Sequence, residues 1–449
     1  MRVVLAFVAI LLTSSCQPEM ADLPSDIGGS QSTQPSSVSV PPAWTPTTAG
    51  EQPGPAATSE PSASPTPMPA VPSAAPLPTQ TPEIPTQVTV ADLRKLDMQS
   101  STRGWAVAPN YPGAIFRTVD GGFTWADVTP PQQFPEFLEP EYLYPSTFFL
   151  DALQGWAIFP GEDSPVWQTA DGGKTWQPSS QTFSGDVYDM FFSNPSHGWL
   201  FRYWGPITHD QWPKDLYRTG DGGATWELLV DGYDSQLYPA ATGQVFLGAL
   251  SGWISTSSPD AKPSSLLVTH DGGATWKGLV VPPPSQNPGL FNDFETSCIR
   301  FGLHSPTLFT QAHGAVVLSC DIPADGSDPP RPAAANYLYR TLDYGVSWIT
   351  SEVPGNEVVF IREDSAWSAT QTPTGLAIFH STDTGATWSR VKTTAWQGTV
   401  FFVSDVTAYA LAQPLGDSPD PGETKLLRST DGSRTWEIIE PVFLRRDTP

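Results

Sequence analysis

Only 22 of the 449 residues are Lys or Arg, against 46 Asp or Glu. None of those cations lies between positions 17 and 91. So little positive charge offers nothing to neutralise a phosphate backbone or an anionic headgroup, which excludes nucleic acid and electrostatic membrane binding. Cysteine is equally scarce, with Cys16, Cys298 and Cys320 alone. His304 and His313 fall between the last two, but without the close paired spacing of a structural zinc site, so no metal or cofactor is expected. A disulfide between Cys298 and Cys320 fits an exported chain. No apolar run reaches the ~18 residues a membrane span requires. The one from Val3 to Leu12 is short and follows Arg2.

That N-terminal pattern reads as a secretory signal over 1–15. Thr13, Ser14 and Ser15 precede Cys16 in the manner of a lipobox, with Leu12 one place further from the cysteine than usual. Lipidation of Cys16 is the expectation, and an ordinary secretory signal is the alternative. From Cys16 to position 91 the composition is dominated by Pro, Ser, Thr and Ala, which cannot bury enough apolar surface to order itself. A flexible coil of ~70 residues has a root-mean-square span on the order of 50 Å. Such a stalk suits a domain held off a membrane by a lipid, in the cell envelope outside the cytoplasm.

The remaining 92–449 holds 40 acidic and 21 basic residues, and one pattern returns in it seven times. The copies are TVDGGFTW, TADGGKTW, TGDGGATW, THDGGATW, TLDYGVSW, STDTGATW and STDGSRTW, with aspartates at Asp120, Asp171, Asp221, Asp271, Asp343, Asp383 and Asp431. Four of the six spacings are 48 to 51 residues and the others 72 and 40. An Asp that accepts backbone N–H groups, a glycine with access to left-handed backbone and a Trp anchor describe a hairpin turn. Those aspartates are therefore expected to be structural. Ser433 replaces the glycine of the last copy, where a looser turn is expected. Upstream, aromatics at Trp105, Trp156, Trp199, Trp253, Trp367 and Tyr409 each follow a hydrophobic residue seven positions earlier. With a further strand entering each turn, every repeat becomes a four-stranded antiparallel sheet of about 50 residues. The predicted fold class is all-β, a seven-bladed β-propeller over 92–449. Blade five, with no Gly-Trp and a long interval before Asp343, is the least regular.

The pattern S/T-x-D-x-G-x-T/S-W is identified as the Asp box, or bacterial neuraminidase repeat. Together with the second-strand aromatics it resembles the propellers of photosystem II assembly and stability factors, over roughly 92–440. That resemblance implies a non-catalytic platform whose face engages a membrane protein partner. In those factors an arginine-rich patch is the working surface, and no matching arginine run exists here. Asp boxes also occur in sialidases and some endoglucanases, so a glycoside hydrolase acting on envelope glycans is the alternative. The residues of a sialidase site, three convergent arginines with a Tyr–Glu pair and an acid Asp, are not evident. Arg117, Arg218, Arg340 and Arg428 all stand three before a box Asp, a repeat position that reads as structural. Arg300 and Arg362 near first strands are the remaining candidates for an anion site.

Short turns are expected at the end of the propeller that carries the Asp boxes, and long connections at the other. The latter include 130–145, 203–215, 281–296, 321–336 and 413–423. Irregular loops on a rigid scaffold are where binding concentrates. The candidate binding face is drawn from them: Trp204, Trp212, Asp210, Asp215, Asp293 and Glu295. A protein or a cell-envelope glycan is the expected partner, and a solvated acidic rim the bland alternative.

Overall fold

The computed structural model describes residues 88–108, 113–131, 144–184, 186–203, 214–232, 241–256, 265–291, 300–321, 334–416 and 423–444. These form seven antiparallel sheets, the all-β propeller expected from the repeats. Blade one contains β1 to β4 (Lys95–Met98, Gly104–Ala108, Ala114–Thr118, Thr124–Asp127). Blade two contains β5 to β8 (Ser146–Phe149, Gly155–Ile158, Ser164–Thr169, Gln177–Phe183). Blade three contains β9 to β12 (Asp186–Phe192, Gly198–Tyr203, Lys214–Thr219, Glu227–Val230). Blade four contains β13 to β16 (Ala241–Leu247, Ser251–Thr256, Ser265–Thr269, Lys277–Val280).

Blade five differs, because its first strand is split into β17 (Arg300–Leu303) and β18 (Thr307–Leu308), both paired with β19 (Gly314–Asp321). It continues through β20 (Ala334–Thr341) and β21 (Ile349–Val353). Blade six contains β22 to β25 (Val358–Arg362, Ser365–Thr372, Gly375–Ser381, Ser389–Thr393). Blade seven contains β26 to β29 (Gln397–Phe402, Ala408–Gln413, Lys425–Ser429, Glu437–Ile439). A last strand, β30 (Val442–Leu444), returns to blade one and pairs parallel with β4. Phe443 meets Phe116 edge to face at 5.2 Å, so the chain closes its own ring from the outside.

Second strands are the most deeply enclosed. All residues of β2, β6 and β14 are buried, as required of a strand covered by neighbouring blades on both faces. A glycine at or next to the start of a second strand, as in β10 and β14, is there for space. A Cβ at Gly198 would stand 2.4 Å from the Phe192 ring, and one at Gly252 2.2 Å from Phe246.

The repeated aspartate turns are built alike. In blade two, Asp171 Oδ1 accepts from the Thr169 hydroxyl at 3.0 Å and the Thr175 N–H at 3.0 Å, and Oδ2 accepts from the Thr175 hydroxyl at 2.7 Å. Thr169 Oγ1 in turn accepts the Gly173 N–H at 2.9 Å. Each turn is tied to the preceding hairpin of its own blade by one backbone bond, for example Gly172 N to Leu153 O and Gly432 N to Val406 O. The first–second and third–fourth strand turns therefore share one end of the propeller, here the turn end. The other connections join strand ends at the opposite, loop end.

Donors converging on the carboxylates hold all seven below the usual value of 3.8. Asp171, Asp271, Asp383 and Asp431 reach about 2. At Asp171 the Thr175 backbone N–H leads, followed by its hydroxyl. At Asp271 burial pulls upward and is outweighed by the Thr275 hydroxyl and N–H and the Thr269 hydroxyl.

The seventh turn is not looser. Ser433 adopts the left-handed conformation at φ 63°, its N–H donates to Ser429 Oγ at 3.0 Å, and Thr435 closes on Asp431 as elsewhere. The cost lies within the residue. Ser433 is 1% exposed and its hydroxyl has no hydrogen-bond partner. Ser433→Gly is accordingly expected to raise stability by about 1 kcal/mol, through relief of left-handed strain and of an unpaired buried hydroxyl. A higher urea midpoint at unchanged slope checks this. A carboxylate with a depressed folded-state pKa contributes stability above its unfolded pKa and loses it as pH falls toward the folded value. With seven such groups, stability is expected to fall most steeply between pH about 4 and about 2, as read by circular dichroism against pH. A flat profile across that window contradicts the turn construction.

Candidate functional site

The seams between blades determine which side chains remain free for function. At seam one–two, Trp105 stacks on Phe149 at 4.5 Å and donates its indole N–H to Asp151 O at 2.9 Å. At seam two–three, Trp156 stacks on Phe192 at 3.6 Å and donates to Gly222 O at 2.6 Å. At seam three–four, Trp199 stacks on Phe246 at 3.6 Å and donates to Gly272 O at 2.9 Å. The ring closes likewise, since the Tyr409 hydroxyl of blade seven donates to Ser101 O of blade one at 2.8 Å.

Blade five breaks the series, with Ala315 where blades one to four and six carry an indole and blade seven a tyrosine. The Trp253 ring of blade four instead lies against Gly314, where a Cβ would meet it at 2.4 Å. Phe309 then contacts Phe360 of blade six edge to face at 4.9 Å.

Residues three before each turn Asp form a second row of seam contacts. Arg117 Nε donates to Ala152 O at 3.0 Å, and Arg218 to Asp271 O at 3.4 Å. Arg340 reaches Asp383 O at 3.5 Å, and the Arg428 guanidinium lies 5.1 Å above the Phe123 ring while Nε donates to Glu437 at 2.7 Å. These arginines point into four separate seams, one–two, three–four, five–six and seven–one, rather than converging on one point. Arg362 is engaged too, ion-paired with Asp405 and, at 3.1 Å, with Asp364. Arg300 lies on β17, opposite Asp321.

In blade six the arginine position holds His380, stacked on Trp367 at 4.2 Å. His380 Nε2 lies 3.0 Å from the Ser365 hydroxyl and 3.7 Å from Asp405 Oδ1. The residue types are those of a hydrolase triad, but the arrangement is not. A triad requires the imidazole to bridge, with one nitrogen toward Ser and the other toward Asp. Here one nitrogen faces both, while the buried Ser365 hydroxyl donates directly to Asp405. The hydroxyl proton already has a carboxylate acceptor. Burial lowers the His380 pKa against the pull of Asp405, with Arg362 and Arg434 adding to the lowering. The cluster clamps blade six to blade seven.

Trp204, Asp210, Trp212, Asp293, Glu295 and Cys298 lie outside the described residues, as does Cys16 further upstream. Cys320 is buried near the end of β19 and is disulfide-bonded. Asp215 is the one candidate of the binding face within the structure, and it faces inward. It is 2% exposed, accepts the Gly232 N–H at 3.1 Å and lies 4.0 Å from Arg202. It anchors the root of its loop and leaves the set of ligand-facing candidates. Near the first strands, Phe148, Phe191, Phe192, Val245, Phe246, Leu247 and Leu308 line a cavity of about 30 Å³. That is room for a water or a methyl group, far below the ~300 Å³ of an ordinary ligand pocket.

No protein-family model and no curated protein matches the chain. Among solved structures it is similar to YCF48 from Cyanidioschyzon merolae, at 16% identity over 77% of this chain and 97% of that one, with a TM-score of 0.48. It is similar also to YCF48 bound to D1 peptide, at 17% identity over 76% and 92%, with a TM-score of 0.47. The GH74 enzyme of Niastella koreensis shows 12% identity over 77% and 62%, with a TM-score of 0.36. The likeness is one of fold, and it spans YCF48 and glycoside hydrolases alike.

The ring-closing bond is the seam contact that can be removed with least change of shape. Tyr409→Phe deletes only the hydroxyl that reaches Ser101 O. A loss of about 1 kcal/mol in chemical denaturation is expected. An unchanged midpoint would show that this bond adds nothing to closure.

Proposed function

We propose that the chain is an exported, lipid-anchored propeller that acts as a non-catalytic binding platform at the cell envelope. In this reading the loop end engages a protein partner, with the lipid on Cys16 and the stalk 16–91 setting its distance from the membrane. The observation that carries the proposal is the internal engagement of the repeated polar side chains. Each turn aspartate is saturated by donors of its own turn, and Arg117, Arg218 and Arg340 donate to carbonyls across seams. The Ser365, His380 and Asp405 cluster holds its serine proton on a carboxylate. These are fixed scaffold contacts, of the kind that presents irregular loops for recognition.

Within those loops, Trp204 and Trp212 are the large amphipathic side chains best suited to anchor a contact, since aromatic residues dominate interface energetics. Acidic neighbours such as Asp210, Asp293 and Glu295 would favour a partner with basic character at the rim.

The test is capture from intact envelope with the tethered full chain, alongside a screen for glycan binding and turnover. A specific protein partner, retained by wild type and weakened roughly tenfold or more in Trp204→Ala/Trp212→Ala at unchanged melting temperature, is the expected outcome. Glycan turnover without a retained protein would instead favour the hydrolase reading.

A further inference from the structure

Polar side chains that the repeat does not account for meet where the first strands surround the propeller axis. Each first strand runs into a turn at the turn end, so residues earlier in it lie nearer the loop end. Exposure alternates along β1, β5 and β9, and the half-exposed set is Lys95 and Asp97, Ser146 and Phe148, Asp189 and Phe191. These side chains face the central channel, while those between them are buried in the seams. Lys95, Ser146 and Asp189 share one level, three residues before Met98, Phe149 and Phe192. Phe148 and Phe191, 5.2 Å apart, hold the next level toward the turn end and give it an aromatic floor.

Two seams carry a polar pair at the upper level, in equivalent places. Thr147 and Gln244 each stand two residues before the phenylalanine that stacks on the preceding blade. In seam one–two, Lys95 Nζ donates to Thr147 O at 2.8 Å and to its hydroxyl at 3.1 Å. In seam three–four the corresponding pair is Asp189 and Gln244, and it is not satisfied. Gln244 is 5% exposed, and neither its amide oxygen nor its amide nitrogen has a hydrogen-bond partner. Other buried side chains among the described residues leave at most one polar atom unpaired. A buried amide with both halves unpaired works against folding, and such groups are rare in native interiors.

Asp189 beside it is also undercompensated. Burial raises its pKa above the usual carboxylate value, and Lys95, the nearby Gln244 amide and the Met190 N–H offset this only in part. Asp97, one level lower, is already taken by Gln99 Nε2 at 2.5 Å. What the pair lacks is a cation that also offers hydrogen-bonding groups. A primary ammonium supplies charge to Asp189 and an N–H to the Gln244 oxygen, and an oxygen on the adjacent carbon supplies an acceptor to the Gln244 nitrogen. Phenyl faces at the floor favour a cation over an anion. A metal ion would find too few ligands, since no three His, Cys, Asp or Glu side chains converge among the described residues.

We infer that the channel level of Asp189 and Gln244 binds the ammonium of a small ligand that carries an oxygen on the neighbouring carbon, the pattern shared by amino-acid amides and 2-amino sugars. The site uses none of the loop aromatics, so it stands or falls separately from the loop-end partner.

The test is calorimetric titration of the full chain with glycinamide and with glucosamine, each against its N-acetyl counterpart, and with potassium chloride. At least one amine should bind, with its N-acetyl form at least roughly tenfold weaker, and the preferred amine identifies the source of the ammonium. Asp189→Asn and Gln244→Met should each weaken amine binding roughly tenfold or more. The melting temperature should hold in the first and rise in the second, where an unpaired buried amide is removed. A merely structural pair would lose stability in both. No amine binding, equal binding of the N-acetyl forms or of potassium, unchanged binding in the variants, or a lowered melting temperature in either variant overturns the inference.

Discussion

The structure depends on one contact between neighbours: an indole on the second strand of one blade lying flat on a phenylalanine from the first strand of the next. The stacked rings bury a large apolar area, and the indole N–H then finds a carbonyl in the next blade's turns. In Trp156 and Trp199 both parts are present, with ring separations of 3.6 Å and donor distances of 2.6 and 2.9 Å. Because the phenylalanine also lies over the glycine that opens its own second strand, two blades fix the position of one ring. Removing the Cβ at that glycine is what lets the ring sit there. Buried aromatic pairs of this kind contribute about 0.5–1.5 kcal/mol beyond their area, so each seam contributes measurably to closure.

A ring built from seams is as uniform as its least regular blade. Blade five lacks the indole and begins with a split strand, and its core substitutes Trp253 against Gly314 on one side and Phe309 against Phe360 on the other. The following seam, six–seven, replaces an arginine by His380 and adds Asp405 and Ser365. There the Trp367 indole N–H is buried without a partner, where Trp105, Trp156 and Trp199 all donate. Blades five and six therefore hold their following seams with different chemistry from blades one to three, through ion pairs and rings rather than indole hydrogen bonds, and blade seven returns to a hydrogen bond, from the Tyr409 hydroxyl.

The period of the repeat was legible in the sequence because it recurs locally, within eight residues of each turn. Blade count and the strands entering each turn follow from it. The partner of each aromatic was not legible, since Trp156 and Phe192 belong to different repeats and periodicity alone does not say which neighbour a ring faces. Ser433 reads as a weak turn by composition, yet all the surrounding donors remain and hold it in the left-handed region. Asp215 reads as a loop acid because its acceptor role depends on Gly232, 17 residues on.

The same topology that makes the seams also separates the two ends chemically. Short turns at one end satisfy their own carboxylates, so the aspartates there act as acceptors for fixed donors and stay ionised, with pKa values held below the usual one. Long connections join strand ends at the other, where the sequence places acidic residues without repeat partners. The end an aspartate occupies does not by itself decide its role, since Asp215, near the start of a strand at the loop end, is buried and accepts the Gly232 N–H, and so is structural like the turn aspartates. It follows that apolar side chains exposed among self-satisfied turns are more informative than acids exposed among loops. Solvation accounts for an exposed carboxylate without any partner, whereas an exposed apolar side chain gains nothing from water, and the turns of blades one and five both carry such side chains, at Val119 and Phe123 and at Leu342, Tyr344 and Val346.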